Sequence, residues 1–272
     1  MDAWLAALRG RLPRHAELID ALLELSRADD RIRVLELQAS IARGAGDALS
    51  DLDLGMAVRD EEWEHVADEL PDRLRRIAPT VDLLSHPIPE WGTRPHRRLF
   101  VQYDDGRQID LVVQPAASAS GRVPGAVVLH DPDGRMTDER VVSVATATAA
   151  DVRAWEVLAW ESLANVAKYV ERGSAWEALS RLDQARDLAL RLWAVGEDVP
   201  YPLFGLTSLL DVDPPRLPAG LEATAARAEL GELVSASRAC AELLRNASSR
   251  ARARVGGEPE SPMAAWVSER LR

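Results

Sequence analysis

The sequence predicts an α+β protein in two parts, a domain with a mixed sheet over residues 1–150 and an all-helical domain over residues 151–272. Three observations carry this. Short β-rich runs bounded by turn residues alternate with helical patterns before residue 150; strand signals vanish after it; and from Asp151 onward Trp, Leu and Ala recur at spacings of three and four. With 272 residues, 47% of them hydrophobic and 28% charged, the chain is long enough to bury a real core.

In order, residues 14–28 place Ile19, Leu22, Leu23 and Leu25 on a helical period that Asp29-Asp30 breaks. IRVLELQAS (32–40) is short, apolar and β-branched, and predicts a strand. IARGAGDAL is a glycine-bearing turn, and SDLDLGMAV (50–58), alternating polar and apolar, predicts a second strand. Residues 60–78 begin with acids and end with Arg-Arg, as the helix dipole favours, and Pro71 is expected to kink or split that helix. TVDLLSHPI predicts another strand, the β-rich runs of 97–115 around Asp105-Gly106 a hairpin, and AVVLHDPDGRM (126–136) a strand and turn. In the second part the proline-rich 199–220 is expected to be an irregular connection, after which helix resumes from 221.

A net charge of −11 argues against nucleic acid and anionic membrane as partners, and suits a cationic small molecule. Residues 1–150 hold 26 acidic against 18 basic residues, and residues 151–272 hold 18 against 15. Of the 33 basic residues only Lys168 is lysine, which suggests a compact point charge kept for a phosphate. The single cysteine, Cys240, cannot form an internal disulfide and is a poor basis for a zinc site, so a bound metal would use carboxylates; Cys240 itself is expected to be a buried packing residue. The five histidines share no ligand spacing. No apolar run approaches the roughly 18 residues of a membrane span, and Arg and Asp interrupt the N-terminus where a signal peptide would be apolar, so a cytoplasmic location is expected.

Three Asp-x-Asp triplets occur, and context separates them. Asp131-Pro-Asp133-Gly and Asp211-Val-Asp213-Pro belong to loops, where Asp makes local backbone bonds. Asp51-Leu-Asp53-Leu lies in a predicted strand, whose period of two puts both carboxylates on one face and Leu52 and Leu54 on the other. Like charges held that close call for a cation, and Mg²⁺ takes such oxygen ligands while leaving positions open for phosphate. Asp110, in the β-rich run RQIDLVV, is a third acid that converges on the pair if the two strands are neighbours. Upstream, Ala39-Ser40-x-x-Arg43-Gly44-x-Gly46 offers small residues, a hydroxyl and a cation, the requirements of a phosphate-binding turn.

This order of elements, with Asp51 eleven positions after Ser40, resembles the nucleotidyltransferase superfamily of DNA polymerase beta, and most nearly its antibiotic (aminoglycoside and lincosamide) nucleotidyltransferases. The likeness covers residues 32–58, with Asp110 as a distant match, and departs from the pattern at Ala39, where the motif has glycine. It implies that Ser40, Arg43 and their turn hold a triphosphate, that Asp51 and Asp53 ligate one or two Mg²⁺ ions, and that Asp110 is a third ligand or general base. It further implies transfer of a nucleoside monophosphate, AMP from ATP, to a hydroxyl of a small polar acceptor such as an aminoglycoside, and the acidic balance of the chain favours a cationic one. A looser likeness in the helical half, through Ala167-Lys168-Tyr169, Arg172, Trp176 and Ala178, implies a nucleotide contact for Lys168. Glu156 and Glu161 flank Trp160 where a related kanamycin enzyme has a glutamate base; Glu161 is the candidate, while on residue type alone both are exposed helix acids. Trp155, Trp160, Trp176 and Trp193 read as core. A lincosamide, metabolite or protein hydroxyl as acceptor, and a regulatory protein of this fold without turnover, stay open as alternatives.

Overall fold

The computed structural model describes residues 2–88, 96–119, 121–138, 146–256 and 258–271. The chain divides into two compact units, Met1–Val141 and Val142–Arg272. The class is α+β, with a mixed sheet in the first unit and helices in the second.

The first unit opens with α1 (Asp2–Arg11), which sequence periodicity had not marked, and α2 (Pro13–Ala28). Strand β1 (Ile32–Leu37) runs into a one-turn helix, α3 (Ala39–Ala42), and β2 (Leu52–Val58) follows. Then come α4 (Trp63–Arg75), β3 (Thr80–Pro87), the hairpin of β4 (Arg97–Tyr103) and β5 (Gln108–Pro115), and β6 (Val127–His130). The strand order is β3-β4-β5-β2-β1-β6, and among the described residues only the central β2–β5 pair is parallel. A short turn suffices for the antiparallel β4–β5 neighbours, whereas the parallel β2–β5 pairing is closed by the crossover through α4 and β3–β4, and the antiparallel β1–β6 pairing also joins residues far apart in sequence.

Alternation decides which sheet face is covered. Leu35, Leu37, Leu52, Leu54, Leu99 and Leu111 are buried in one core with the apolar stripes of α1, α2 and α4, at roughly 1.5–3 kcal/mol for each such side chain. The residues between them, among them Glu36, Asp53, Arg98 and Asp110, therefore share the other face. Pro71 does not split its helix: α4 runs through it, because Val66, Ala67, Leu70 and Leu74 are buried on one side, and that packing exceeds the roughly 3 kcal/mol of an interior proline. The Asp131 turn behaves as expected, its carboxylate accepting the N–H groups of Arg135 and Met136 at 2.9 and 2.8 Å.

In the second unit α5 (Ala149–Glu171) starts at a capping box, in which Thr148 Oγ1 accepts the Asp151 N–H and Asp151 accepts the Thr148 N–H. It packs with α6 (Ala175–Gly196) and α8 (Leu230–Val255) around buried Trp160, Leu163, Leu182 and Leu244, with α9 (Met263–Arg270) alongside. The 199–220 connection contains the short α7 (Leu206–Leu210); helix does not resume at 221, where residues 221–224 form a single 3-10 turn, and α8 begins at Leu230. Cys240 lies inside this core, where burial pushes its thiol up to about 12, so it is inert packing. The Trp residues divide: Trp160 is fully buried, Trp155 and Trp193 pack at the core's margin, and Trp176 is 78% exposed, against the expectation of core. Among the described residues no helix is long and apolar enough to cross a membrane.

Candidate active site

The parallel register pairs Asp53 of β2 directly with Asp110 of β5. Asp51 sits one residue before β2 rather than inside it, two positions from Asp53. Asp53 is mostly buried with two acids beside it, and burial first, then the charges of Asp51 and Asp110, push its carboxyl up to about 7, with Arg43 and Arg98 partly offsetting them. That coupling is the mark of three carboxylates crowded on one patch.

Asp110 is already engaged. Arg98 on β4 grips it with both prongs, Nε donating to Oδ1 at 2.8 Å and Nη2 donating to Oδ2. The hairpin register explains this, since Asp110 lies opposite Phe100 and Arg98 is two residues along the same face. Asp51 and Asp53 have no side-chain hydrogen-bond partner among the described residues. Among the described residues no three His, Cys, Asp or Glu form a ready metal cluster. The donor set nonetheless fits a hard divalent cation: it consists of carboxylate oxygens, and the repulsion that raises Asp53 is what a dication relieves.

The turn that carries Ser40 and Arg43 is built tightly. The Ser40 carbonyl accepts the N–H groups of Ala45 and Gly46 at 2.9 and 3.0 Å, and a Cβ on Gly46 would lie 2.4 Å from Ile41 Cγ1, so only glycine fits. Ala39, where the motif carries glycine, has φ +54, the left-handed region. That conformation costs a residue with a Cβ roughly 1–2 kcal/mol, against about 0.5–1 kcal/mol of chain entropy for glycine. Ala39→Gly is accordingly expected to leave stability unchanged or up to about 1 kcal/mol higher in urea unfolding, and Ala39→Val to lower it. A clear loss in Ala39→Gly would refute the strain.

Three residues of this face escaped the sequence argument. Glu36 is only 2% exposed; its Oε1 accepts from Gln38 Nε2 at 2.8 Å, and the pair fills the space over Gly55, where a Cβ would meet both at 3.0 Å. The signal was an acid inside the apolar run IRVLEL, the same signal that marked Asp110. For Arg98 the signal lay not in its own segment but in the register of the β4–β5 hairpin, which sets it diagonal to Asp110.

The remaining candidates belong to α5. Lys168 Nζ donates to Asn165 Oδ1 at 2.5 Å and lies 4.6 Å from the centroid of the Tyr169 ring. Glu161 is exposed and accepts from Asn165 Nδ2 at 2.5 Å. Glu156 is not the exposed helix acid expected. It is fully buried, accepting from Arg252 Nη1 at 2.6 Å and the Ser261 N–H at 3.2 Å, with Arg153 at 3.6 Å. Helical period turns it inward with Val152, Ala159, Trp160 and Leu163, and the guanidinium of Arg252 compensates the buried charge.

No family model matches the sequence, and no curated protein does. Among solved structures the chain is similar to an aminoglycoside 6-adenyltransferase from Bacillus subtilis, at 16% identity and a TM-score of 0.44, over 93% of this chain and 95% of that one. A likeness of that degree leaves family and activity open.

Proposed function

We propose that this chain is a metal-dependent nucleotidyltransferase that moves a nucleoside monophosphate, AMP from ATP, to a hydroxyl of a small polar acceptor and releases pyrophosphate. The observation that supports this best is the carboxylate patch: Asp53 beside Asp110 across a parallel pair, Asp51 two positions away, and a tight turn bearing Ser40 and Arg43 leading into the same face. Asp51, Asp53 and Asp110 would hold Mg²⁺, which supplies neutralisation of the triphosphate charge, and Asp110 keeps a second oxygen for the acceptor's proton. Ser40 and Arg43 bind phosphate oxygens, one by a neutral and one by a charge-assisted hydrogen bond. The acceptor oxygen bonds to the α-phosphorus as the bond to the β-phosphate bridging oxygen breaks; pyrophosphate leaves with that electron pair, and the hydroxyl proton passes to Asp110. The acceptor class we infer is a hydroxylated cation of aminoglycoside type, which a chain of net charge −11 attracts.

A nucleotide-binding regulator without turnover is the second reading, favoured by Arg98 holding both oxygens of Asp110. Incubating the protein with ATP, GTP, CTP or UTP, Mg²⁺ and a panel of aminoglycosides and lincosamides separates the two. Pyrophosphate release with an acceptor heavier by one nucleoside monophosphate is the expected result. Nucleotide binding without product supports the regulator, and neither binding nor product refutes both. If the acceptor is cationic, its affinity falls as salt rises, because screening shortens to roughly 8 Å at physiological ionic strength.

A further inference from the structure

We infer that Arg98 is a nucleotide-phosphate ligand which, until nucleotide arrives, stands in the cation's place on Asp110. The inference rests on the nucleotidyltransferase reading and adds a residue to it. Arg98 spends both prongs on one carboxylate and faces the other two: its charged form is favoured first by the hydrogen bonds to Asp110, then by the charges of Asp110, Asp53 and Asp51. A single guanidinium thus partly balances the patch that a dication would otherwise neutralise.

The side chain is placed to leave. Its surface is 45% exposed, against 18% for Asp110, and its backbone is fixed in the β4–β5 ladder opposite Val112, so the head can swing while the strand stays. Nη1 has no hydrogen-bond partner among the described residues, which leaves donors open to a second acceptor. A planar guanidinium fork matches two oxygens of a phosphate as well as two of a carboxylate, so a triphosphate offers Arg98 an equivalent partner. The exchange conserves charge pairing: the fork passes from the oxygens of Asp110 to those of the phosphate, and Asp110 is freed for the cation that accompanies the nucleotide. No covalent bond changes. Cation and nucleotide should therefore bind cooperatively, the cation weakly alone and tightly with its partner.

The test measures Mn²⁺ uptake by electron paramagnetic resonance, with and without a non-hydrolysable ATP analogue, in the full chain and in Arg98→Gln, Arg98→Lys and Asp53→Asn. In the wild type the analogue should tighten Mn²⁺ binding about tenfold or more. Arg98→Gln should take up Mn²⁺ alone about tenfold more tightly, because its competitor is gone, and bind the analogue about tenfold or more weakly, as loss of a charge-assisted pair requires. Arg98→Lys, which keeps the charge and loses the fork, should hold Mn²⁺ off yet still bind the analogue weakly; it carries the test if Arg98→Gln does not fold. Mn²⁺ and analogue affinities equal to wild type in the Arg98 variants overturn the role of Arg98. A wild type that takes up no Mn²⁺ with the analogue, or an Asp53→Asn protein that takes up as much as wild type, overturns the nucleotidyltransferase reading instead.

Discussion

Asp53→Asn is expected to reduce Mg²⁺-dependent nucleotidyl transfer by more than about a hundredfold while making the metal-free protein more stable at pH 8. Both effects have one cause. Burial and the charges of Asp51 and Asp110 raise the Asp53 carboxyl to about 7, so the folded state holds its proton far more tightly than the unfolded chain, whose value is near 3.8. The sign follows by linkage. Between pH 4 and 7 the folded state binds more protons than the unfolded one, so the contribution of Asp53 is greatest at acid pH and is lost as pH rises toward 7. Asparagine keeps the shape without the charge. Since the side chain retains some exposure, the gain at pH 8 is on the order of 1–2 kcal/mol, a few degrees in Tm, and it should vanish near pH 4. Mg²⁺ should raise the Tm of the wild type and not of the variant. On the proposed reading the activity loss exceeds the roughly 10–100-fold of losing an outer-shell partner, because a metal ligand itself would be removed. Thermal scans at pH 4 and pH 8 with pyrophosphate release measure both halves; a variant less stable at pH 8, or one that still transfers at the wild-type rate, refutes the assignment.

Glu156→Ala is expected to destabilise the second unit by about 3–5 kcal/mol, the cost of stranding a guanidinium whose buried partner has gone. The carboxylate joins α5 to Arg252 of α8 and to the Ser261 N–H just ahead of α9, so one side chain couples three segments. Glu156→Gln keeps hydrogen-bond acceptance and should cost less. Urea unfolding of both variants measures this, and the ratio of transfer rate to folded fraction separates roles: a catalytic base would lose rate in Glu156→Gln at unchanged stability, which would overturn the structural assignment.

Much of the carboxylate patch was legible before any coordinates. The alternation of SDLDL places the acids opposite the leucines, and Leu52 and Leu54 are indeed in the core. The Asp105-Gly106 hairpin was equally plain, and counting outward from that turn pairs Phe100 with Asp110 and sets Arg98 two residues along, so the Arg98 grip was latent in the sequence. The local cost of Pro71 is offset by the buried face of its own helix, and the helical phase of Glu156 points inward although its residue type suggests exposure.

The sequence by itself determined which residues share a face of each strand, because side-chain alternation is a property of the extended backbone within one segment. It could not determine that β5 lies parallel to β2 in the register Asp53 to Asp110, since that pairing is set by how the intervening α4, β3 and β4 pack over the core. Nor could it determine that Arg252 meets Glu156 across 96 residues. Charges find their partners through contacts distant in sequence, and only the folded chain specifies those.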